Sequence, residues 1–428
     1  MSRLTRIDLD SLSPQERRRL TRRSAVPDPE VRLRTAEICR AVQTGGDAEV
    51  AAIAARVGGG FRRIADAELD SAVASLDDEV RAALEAAIAA VETVHRAQLP
   101  SDLGVTTAPG VEITRKWTPL RRVGAYVPGG KAAYPSTVVM TVVPARVAGV
   151  EEIVVASPEA PDGTVPDVML AACRLAGATE VWAMGGAQAI AALAYGTESL
   201  EPVEKIVGPG NAWVTAAKLE VFGSCAIDLP AGPSEVLVLA DRTSDPTLVA
   251  VDLLCQAEHG PDSPAVLVTT DPELVDAVES EIERLLPDLE RADILSKALA
   301  DHGLAVVAPD GEAALDFANE YASEHVTILT ADPEADAARV HAAGSVYVGV
   351  WAPESAGDYA TGANHVLPTG GLAEACGPLS AQDFGSWRQV QRLTREGLEA
   401  IAPTITTLAS AEGLTAHRLA AQIRLEER

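Results

Sequence analysis

Short runs rich in β-branched residues alternate with helical stretches over most of the chain, and this alternation limits the fold more than any other feature. Helical segments such as Val168–Ala176 and Asn211–Val221 separate the runs. Parallel strands need crossover connections, usually helices, so the spacing predicts parallel sheets with both faces covered. The expected strands are Val123–Val127, Ile153–Ala156, Glu180–Ala183, Lys205–Val207, Val236–Leu239, Ala265–Thr269, Leu304–Val307, Val326–Leu329 and Ser345–Val348.

The number of strands fits two modest sheets better than one wide sheet, with a break near Leu229–Pro233. Residues 28–98 carry apolar positions at helical spacing, interrupted by Gly58-Gly59-Gly60. We therefore expect an α/β chain with two Rossmann-like parallel-sheet domains, a helical N-terminal region and a helical C-terminal tail. The expected parts are an N-terminal arm at 1–27, a first domain at 28–122 plus 237–380, a second, nucleotide-binding domain at 123–236, and a dimerisation tail at 381–428.

The C-terminal tail is expected to contain helices alone. From Ser386 onward no further strand is predicted, and Gln389–Ala400 and Leu414–Glu427 read as helices. Because such a tail has few partners within its own chain, we expect it to pack on another subunit.

Composition excludes several classes of partner. The 428 residues include 62 acidic and 35 basic side chains, and the net charge of −27 disfavours nucleic acid and anionic membranes. Five cysteines without C-x-x-C spacing are typical of reduced thiols in a cytoplasm. The first residues lack the pattern of a signal peptide, and the longest apolar stretch, Val181–Gly196, is too short to span a bilayer. We expect a cytoplasmic protein.

Three glycine-containing loops follow predicted strands. They are Val127-Pro-Gly-Gly-Lys131, Gly185-Gly-Ala-Gln188 and Gly208-Pro-Gly-Asn211. Glycines at the carboxyl ends of parallel strands let a ligand approach the backbone, and helix N-termini there favour a pyrophosphate. A nucleotide is the expected ligand, although glycine is common at such turns in any α/β protein and no G-x-G-x-x-G occurs in these loops.

A polar stripe ends the apolar helical run from Asp252 to His259. At 100° per residue, Asp252, Gln256 and His259 fall within about 60° of one another. Gly260 and Pro261 then stop the helix, which places His259 in its last turn. The stripe can hold a metal ion or a polar substrate, but taken alone it also fits an ordinary helix end.

A second group of chemical residues lies further along the chain. Glu324 and His325 directly precede a predicted strand, where a carboxylate and an imidazole can serve separate proton transfers. Alone, the pair also fits a helix-end carboxylate beside a core histidine. Asp358 is a plausible oxygen ligand, and His365 in the following Gly-containing loop is a plausible substrate contact.

Two imidazoles, a carboxylate and an amide form a ligand set suited to zinc at a site left open to substrate. The four candidate ligands are Gln256, His259, Asp358 and His417, and Glu412 lies near the last of them. The remaining histidines His95, His302 and His341 are expected to be structural or exposed.

Eight motifs, in order along the chain, resemble the successive signatures of the histidinol dehydrogenases. They are Val123-Gly-Ala-Tyr126-Val-Pro-Gly-Gly130, Gly185-Gly-Ala-Gln188-Ala-Ile, Val207-Gly-Pro-Gly-Asn211, Asp228-Leu-Pro-Ala-Gly-Pro-Ser234-Glu235, Gln256-Ala-Glu-His259-Gly, Ser323-Glu324-His325, Gly357-Asp358-Tyr359 and Asn364-His365-Val-Leu-Pro-Thr369. The similarity extends from about Val31 to Glu412-Gly-Leu-Thr-Ala-His417. Two departures concern loop detail: Ser323 stands where the family usually has Pro, and an Arg is often found near Glu374.

The resemblance implies a zinc enzyme that oxidises L-histidinol to L-histidine through L-histidinal with two NAD⁺. It implies a homodimer with exchanged tails, in which the partner subunit supplies the last zinc ligand. By the same resemblance zinc is bound by Gln256, His259, Asp358 and His417, NAD by Tyr126, Gln188 and Asn211, and substrate by Ser234, His365 and Glu412 together with His325 and the zinc ligands.

The expected chemistry divides between two neighbouring residues. Hydride leaves carbon only if the attached hydroxyl loses its proton, and His325 suits the role of base. The aldehyde must then be hydrated, and Glu324 is the natural group to activate that water. Two other classes remain open from the residues alone: a zinc-dependent hydrolase of a small amine or amide, and a non-catalytic ligand-binding protein with two α/β lobes.

Overall fold

The computed structural model describes residues 4–129 and 133–426. Gly130 and Lys131 of the first glycine loop and Glu427 of the predicted last helix lie outside the described residues. The strands are β1 (Thr5–Asp8), β2 (Arg62–Arg63), β3 (Leu103–Ala108), β4 (Val111–Pro119), β5 (Arg122–Tyr126), β6 (Glu152–Ser157), β7 (Glu180–Ala183), β8 (Lys205–Val207), β9 (Ala226–Ile227), β10 (Val236–Ala240), β11 (Ala265–Thr269), β12 (Gly303–Val307), β13 (His325–Leu329), β14 (Ser345–Val348) and β15 (Gly385–Leu393).

Helices connect most of these strands. They are α1 (Pro14–Thr21), α2 (Pro29–Val57), α3 (Asp66–Ser75), α4 (Asp78–Ala97), α5 (Pro135–Ala148), α6 (Asp167–Ala176), α7 (Gly186–Tyr195), α8 (Ala212–Val221), α9 (Pro246–Ala257), α10 (Pro272–Leu285), α11 (Ala292–His302), α12 (Gly311–Tyr321), α13 (Pro333–Ala337), α14 (Glu354–Tyr359), α15 (Arg395–Ala411) and α16 (Thr415–Leu425). Within the described ranges, none of these helices combines the length and apolar character needed to cross a bilayer.

Two six-stranded sheets form the body of the molecule, as the alternation predicted. Sheet I has the order β2-β7-β6-β5-β8-β9 and sheet II the order β1-β12-β11-β10-β13-β14. Both are parallel apart from β2, which runs antiparallel to β7. The predicted break near Leu229–Pro233 is confirmed, because β9 before it lies at the edge of sheet I and β10 after it belongs to sheet II. All nine predicted strands are present within a residue at either end.

The N-terminal region packs differently from the prediction. The helices α2, α3 and α4 lie against α5, α6, α7 and α8 of sheet I, so the grouping of residues 28–122 with residues 237–380 is wrong for these helices. The physical reason is shared apolar burial: Val42, Val50 and Ile53 of α2 join Ile190 and Leu193 of α7 in one core. Instead, the N-terminal arm reaches the other half, because β1 pairs with β12 in sheet II.

The expectation that strands cease at Ser386 is also wrong. Residues of β15 pair antiparallel with β4, placing Trp387 opposite Trp117, in a third sheet of order β15-β4-β3. Most of β15 is exposed, so the segment lacks the alternation of buried and exposed residues that identifies a strand. Thr394 then caps α15 by accepting a hydrogen bond from the Gly397 amide, so the helix starts six residues later than predicted.

Candidate active site

Helix α9 carries the first two candidate ligands. The helix begins after Asp245, whose side chain accepts a hydrogen bond from the Thr247 amide, and it ends at Ala257. Gln256 is fully buried in its last turn. His259 lies in the turn just beyond the helix rather than in its last turn, and its amide donates to the Gln256 carbonyl at 3.2 Å.

A metal-sized cluster forms where α9 meets α14. His259, Glu354 and Asp358 each offer one ligand atom, and these atoms lie within 4.8 Å of one another. The four-residue spacing of Glu354 and Asp358 puts both carboxylates on one face of α14. Glu354 was not predicted, although the same spacing in Glu354-Ser-Ala-Gly-Asp358 could have indicated it.

Unpartnered buried atoms surround this cluster. Both amide atoms of Gln256 and both carboxylate oxygens of Glu354 are buried without a hydrogen-bond partner in the described structure. Buried polar atoms in proteins are nearly always satisfied. A cation with nitrogen and oxygen ligands, or a polar substrate, would satisfy them, and imidazole with carboxylate is a donor set that zinc accepts.

The remaining predicted metal ligand, His417, and the predicted substrate contact Glu412 lie elsewhere in the single chain. His417, on α16, and Glu412, just after α15, are both exposed, and His417 is not part of the cluster found among the described residues. Of the predicted metal ligands, the structure therefore brings His259 and Asp358 into one cluster, packs α9 with Gln256 against α14, and leaves His417 apart.

The pair Glu324 and His325 lies at the start of β13, beside the residues that lead into β10. One carboxylate oxygen of Glu324, Oε2, accepts hydrogen bonds from Ser234 Oγ at 2.6 Å and from the Glu235 amide at 3.0 Å. His325 Nδ1 lies 3.2 Å from the Glu235 carbonyl oxygen, which fixes this nitrogen as the protonated one. The other ring nitrogen, Nε2, is buried without a partner in the described residues and is left to act on a ligand.

Burial governs the charges of this pair. It raises the pKa of Glu324 well above its ordinary value, and the hydrogen bonds from Ser234 and the Glu235 amide oppose that rise. Burial, with the neighbouring His259, lowers the pKa of His325 to about 3. The imidazole is therefore neutral at pH 7 and able to accept a proton.

The two groups of residues share one site. His325 Nδ1 lies 3.8 Å from Glu354 Oε1 and 3.8 Å from Glu324 Oε2. On another side, His365 Nδ1 lies 3.7 Å from Asp358 Oδ1. His365 Nε2 is 3.5 Å from Thr137 Oγ1, which connects the cluster to the N-terminal end of α5.

Of the three histidines predicted to be structural or exposed, His95 is fully buried and the other two are exposed. His95 Nδ1 donates to the Val91 carbonyl at 2.8 Å, and its Nε2 accepts from Asn364 Nδ2 at 3.1 Å. Asn364 also donates to the Met140 carbonyl. His95 thus supports the loop that carries His365.

The residues predicted to contact a nucleotide lie at the carboxyl edge of sheet I. Strand order reverses between β5 and β8, and such a switch point opens a crevice for a ligand. Tyr126 ends β5, and its hydroxyl accepts a hydrogen bond from the Gly186 amide at 3.2 Å. Gln188 lies buried in the first turn of α7. Asn211 caps α8, because its side-chain oxygen accepts hydrogen bonds from the backbone amides of Trp213 and Val214.

The loop after β8 has little room for side chains. Gly208 has a φ of +108°, and a Cβ atom there would lie 2.1 Å from the Tyr126 carbonyl oxygen. Buried Lys218, which was not predicted, donates to the carbonyls of Gly208 at 3.0 Å and Leu229 at 2.9 Å and pairs with Asp228. This network fixes the backbone of the loop after β8.

Comparisons with known proteins identify the family of the chain. The family model described as histidinol dehydrogenase matches residues 21–425. The chain is 48% identical over 420 residues to a histidinol dehydrogenase from Halobacterium salinarum, covering 97% of this chain and 98% of the relative. It is 44% identical over 396 residues to one from Methanothermobacter thermautotrophicus, covering 92% and 93%.

A solved structure shows the same fold. The crystal structure of histidinol dehydrogenase from Elizabethkingia anophelis superimposes with a TM-score of 0.92 at 34% identity, covering 99% of this chain and 98% of that one. Both the sequence and the structure matches extend over nearly the whole chain. The chain therefore belongs to the histidinol dehydrogenase family, whose members are NAD-dependent oxidoreductases of histidine biosynthesis.

Proposed function

We propose that the chain oxidises L-histidinol to L-histidine through L-histidinal, using two NAD⁺ in succession and one bound zinc ion. The observation that carries this proposal is the 3.8 Å separation of His325 Nδ1 from Glu354 Oε1. It joins the acid–base pair to the cluster of His259, Glu354 and Asp358 in one site. Membership of the family supplies the reaction class.

The zinc ion would be held by Gln256, His259 and Asp358 of one chain and by His417 of the partner subunit. Unpartnered amide atoms on Gln256 and the carboxylate of Asp358 support this set. When bound, the ion would supply a fixed positive charge that orients the nitrogens of the substrate. Glu354 lies beside the proposed ligands, and its buried carboxylate favours a cation there.

The substrate would lie between the proposed ligands and the acid–base pair. Ser234 and His365 flank the two ends of this site, since they contact Glu324 and Asp358 respectively. Glu412 would come from the exchanged tail with His417. The remaining substrate contacts would be His325, Gln256, His259 and Asp358.

His325 would act as the base in each oxidation. Its Nδ1–H is held by the Glu235 carbonyl, so Nε2 carries the free lone pair. That nitrogen takes the hydroxyl proton of the alcohol as hydride departs, and later the proton of the hydrated aldehyde. Burial lowers the pKa of His325, so the imidazole is neutral at the start of each step and its affinity for a proton is below that of an ordinary imidazole.

Glu324 would activate the water that hydrates the aldehyde. Both of its described hydrogen bonds go to Oε2, which leaves Oε1 to accept a proton from water. Because burial raises the pKa of this carboxyl, its affinity for that proton is greater than that of an ordinary carboxylate. Ser234 and the Glu235 amide hold the group in place while it gains and loses the proton.

NAD⁺ would bind at the carboxyl edge of sheet I and, when bound, would accept the hydride. Tyr126, Gln188 and Asn211 are the proposed contacts. Gly208 lies so close to the Tyr126 carbonyl that only glycine fits there, and this packing holds the loop after β8 beside the end of β5 at the switch point of sheet I.

The active form would be a cytoplasmic homodimer with exchanged tails. Helices α15 and α16 pack on each other. Apolar side chains in these helices and in the turn between them are exposed: Leu408, Leu414, Leu419 and Ile423. Apolar side chains left exposed on a paired-helix tail support burial against a second copy of the chain. That burial would carry Glu412 and His417 toward the partner subunit.

The direct test is NADH formation, followed by absorbance at 340 nm, when zinc-loaded protein is mixed with L-histidinol and NAD⁺. With limiting histidinol we expect about two NADH for each substrate molecule, because the alcohol is oxidised twice. Protein stripped of metal by a chelator is the control. No absorbance rise with the zinc-loaded protein would contradict the proposal.

The division of labour predicts a selective defect in Glu324→Gln. Oxidation of histidinol to the aldehyde should be largely spared, whereas oxidation of added histidinal should fall by about a hundredfold or more, as expected for loss of a general base. The two half-reactions are measured separately in single turnovers. Equal losses in both would refute the separate roles of Glu324 and His325.

A further inference from the structure

Arg23, on the N-terminal arm between α1 and α2, contacts Glu235 next to the acid–base pair. Its guanidinium makes a two-pronged ion pair with Glu235, from Nη1 to Oε2 at 2.8 Å and from Nη2 to Oε1 at 3.1 Å. Only 18% of the Arg23 side chain and 3% of the Glu235 side chain are exposed. A buried, bidentate pair of this kind fixes geometry far more than a surface salt bridge does.

Glu235 in turn positions the side chains of both Glu324 and His325 through hydrogen bonds of its main chain. Its amide donates to Glu324 Oε2 at 3.0 Å, and its carbonyl accepts from His325 Nδ1 at 3.2 Å. The same carbonyl accepts from the His325 amide, also at 3.2 Å. A small shift of the Glu235 main chain would therefore move the hydrogen-bond partners of both side chains together.

The same guanidinium also holds the segment that leads into the pair. Arg23 Nη2 donates to the Tyr321 carbonyl at the end of α12, and the guanidinium carbon lies 3.3 Å from the centre of the Tyr321 ring. The next residue, Ala322, has a φ of +49°, a left-handed conformation that costs a non-glycine residue energy. Arg23 thus stabilises the turn from which Ser323 and Glu324 emerge.

The arm is fitted closely where it passes the site. A Cβ atom on Gly370 would lie 2.8 Å from the Ala25 nitrogen. The Gly370 amide also donates to Glu235 Oε1 at 3.1 Å, so the loop that follows Thr369 binds the same carboxylate. Arg23 therefore joins three separate segments: the arm, the entrance to β10 and the end of α12.

We infer that Arg23 is a positioning residue for Glu324 and His325, acting through the carboxylate and main chain of Glu235. The inference rests on the proposed roles of Glu324 and His325. On this view the N-terminal arm is part of the catalytic apparatus, although Arg23 itself touches neither substrate nor cofactor. A displacement of about 1 Å in a catalytic group can cost about a hundredfold in rate.

The test uses the full-length, zinc-loaded enzyme with Arg23→Ala and Arg23→Lys. We expect Arg23→Ala to lower kcat for histidinal oxidation by about tenfold or more, with KM for histidinal and for NAD⁺ changed by less than about twofold. Arg23→Lys keeps the charge but not the two-pronged fork, so an intermediate kcat is expected. The Arg23→Lys variant also allows the measurement if Arg23→Ala does not fold.

Two variants of the same arm are matched controls. Arg22→Ala removes the exposed neighbour of Arg23, and Arg17→Ala breaks the arm's exposed pair with Glu320, whose atoms lie 2.7 Å apart. Both should retain kcat within about twofold. If Arg17→Ala lowered kcat as much as Arg23→Ala, general loosening of the arm would explain the loss and the inference would be overturned.

A double-mutant cycle with Glu235→Gln tests this inference separately from the proposed function. If Arg23 acts through the carboxylate of Glu235, adding Arg23→Ala to Glu235→Gln should lower histidinal oxidation by less than about threefold further. A full multiplicative loss, or a rise in KM with unchanged kcat, would overturn the inference alone. If Glu324→Gln itself left histidinal oxidation unchanged, the proposed role of Glu324 and this inference would both fall.

Discussion

At the scale of single residues, the site is marked by buried polar atoms that lack partners. Gln256, Glu354 and His325 Nε2 are buried and unsatisfied within the described structure, and they surround one cluster. Leaving a buried polar atom unpaired costs about 1–3 kcal/mol, so such a concentration is tolerated only where a ligand completes it. The sequence indicated Gln256 and His325 because each belongs to a short polar motif.

Glu354 is predicted to strengthen metal binding. Glu354→Gln keeps the shape of the side chain but removes a buried carboxyl group beside His259 and Asp358. Loss of such a supporting group typically weakens metal affinity by about 10–100-fold. The zinc dissociation constant, measured by competition with a chelating dye, should rise by that factor.

Glu334→Gln, at an exposed glutamate on α13, is the matched control and should leave zinc affinity unchanged. Wild-type zinc affinity in Glu354→Gln would show that Glu354 contributes nothing to the metal site.

His95 is predicted to make stability depend on pH. Burial lowers the pKa of His95 below its ordinary 6.5, so below about pH 6.5 the unfolded chain binds a proton that the folded chain does not. The free energy of unfolding should therefore fall as the pH drops through that value. Between pH 7.5 and 5.5 this one residue accounts for at most about 1.4 kcal/mol.

Urea denaturation of metal-free protein at the two pH values checks this contribution. In His95→Gln the drop in unfolding free energy should be smaller than in the wild type by about 1 kcal/mol. His302→Gln, at an exposed histidine, should keep the wild-type drop. An equal drop in His95→Gln and in the wild type would contradict the assignment.

At the scale of elements, the buried strands could be predicted and the exposed ones could not. Strands such as β10 and β11 are buried along their whole length, so their β-branched composition identified them. By contrast β1 has four mostly exposed residues, and β15 is exposed and pairs with β4, far away in sequence. Their pairing is decided by contacts that no local pattern records.

The site could be predicted where neighbouring residues in sequence carry the chemistry. Glu324 with His325, and Gln256 with His259, each form a local motif. Arg23 and Glu235 act through residues far along the chain, Arg23 across 212 positions to Glu235. Such partners become visible only when the fold brings them together.

Close backbone approach after β8 predicts a specific effect of Gly208→Ala. The new Cβ would clash with the Tyr126 carbonyl at 2.1 Å and would also sit at a φ of +108°. Relief of the clash must move Tyr126 or the loop, so KM for NAD⁺ should rise by about tenfold or more while zinc content is unchanged.

The variant Gly223→Ala separates the effect of backbone strain at a positive φ from the effect of a steric clash. Gly223 has a φ of +109°, but a Cβ there would have open space around it. This variant should lose about 1–2 kcal/mol of stability with an unchanged KM for NAD⁺. A similar KM in Gly208→Ala and Gly223→Ala would argue against NAD⁺ binding beside Gly208.

At the scale of the whole molecule, two α/β halves meet beside the site, and the helical tail of the same chain lies apart from it. Contacts from His365 to Thr137 and from Asn364 to Met140 join the cluster near sheet II to α5 of sheet I. In one chain the proposed ligands His259 and Asp358 lie together, whereas His417 is exposed on α16. The exposed apolar side chains of α15 and α16 give the tail a physical reason to bind a second copy.

The proposal that one site combines His325 of one subunit with His417 of the partner subunit is tested most directly by complementation. Chains carrying His325→Gln and chains carrying His417→Ala are inactive separately if both residues are required. Co-expressed with different tags and isolated as mixed dimers, they should recover about half of the wild-type rate of NADH formation, because one of the two shared sites is intact. Mixed dimers as inactive as either parent would contradict a site shared between subunits.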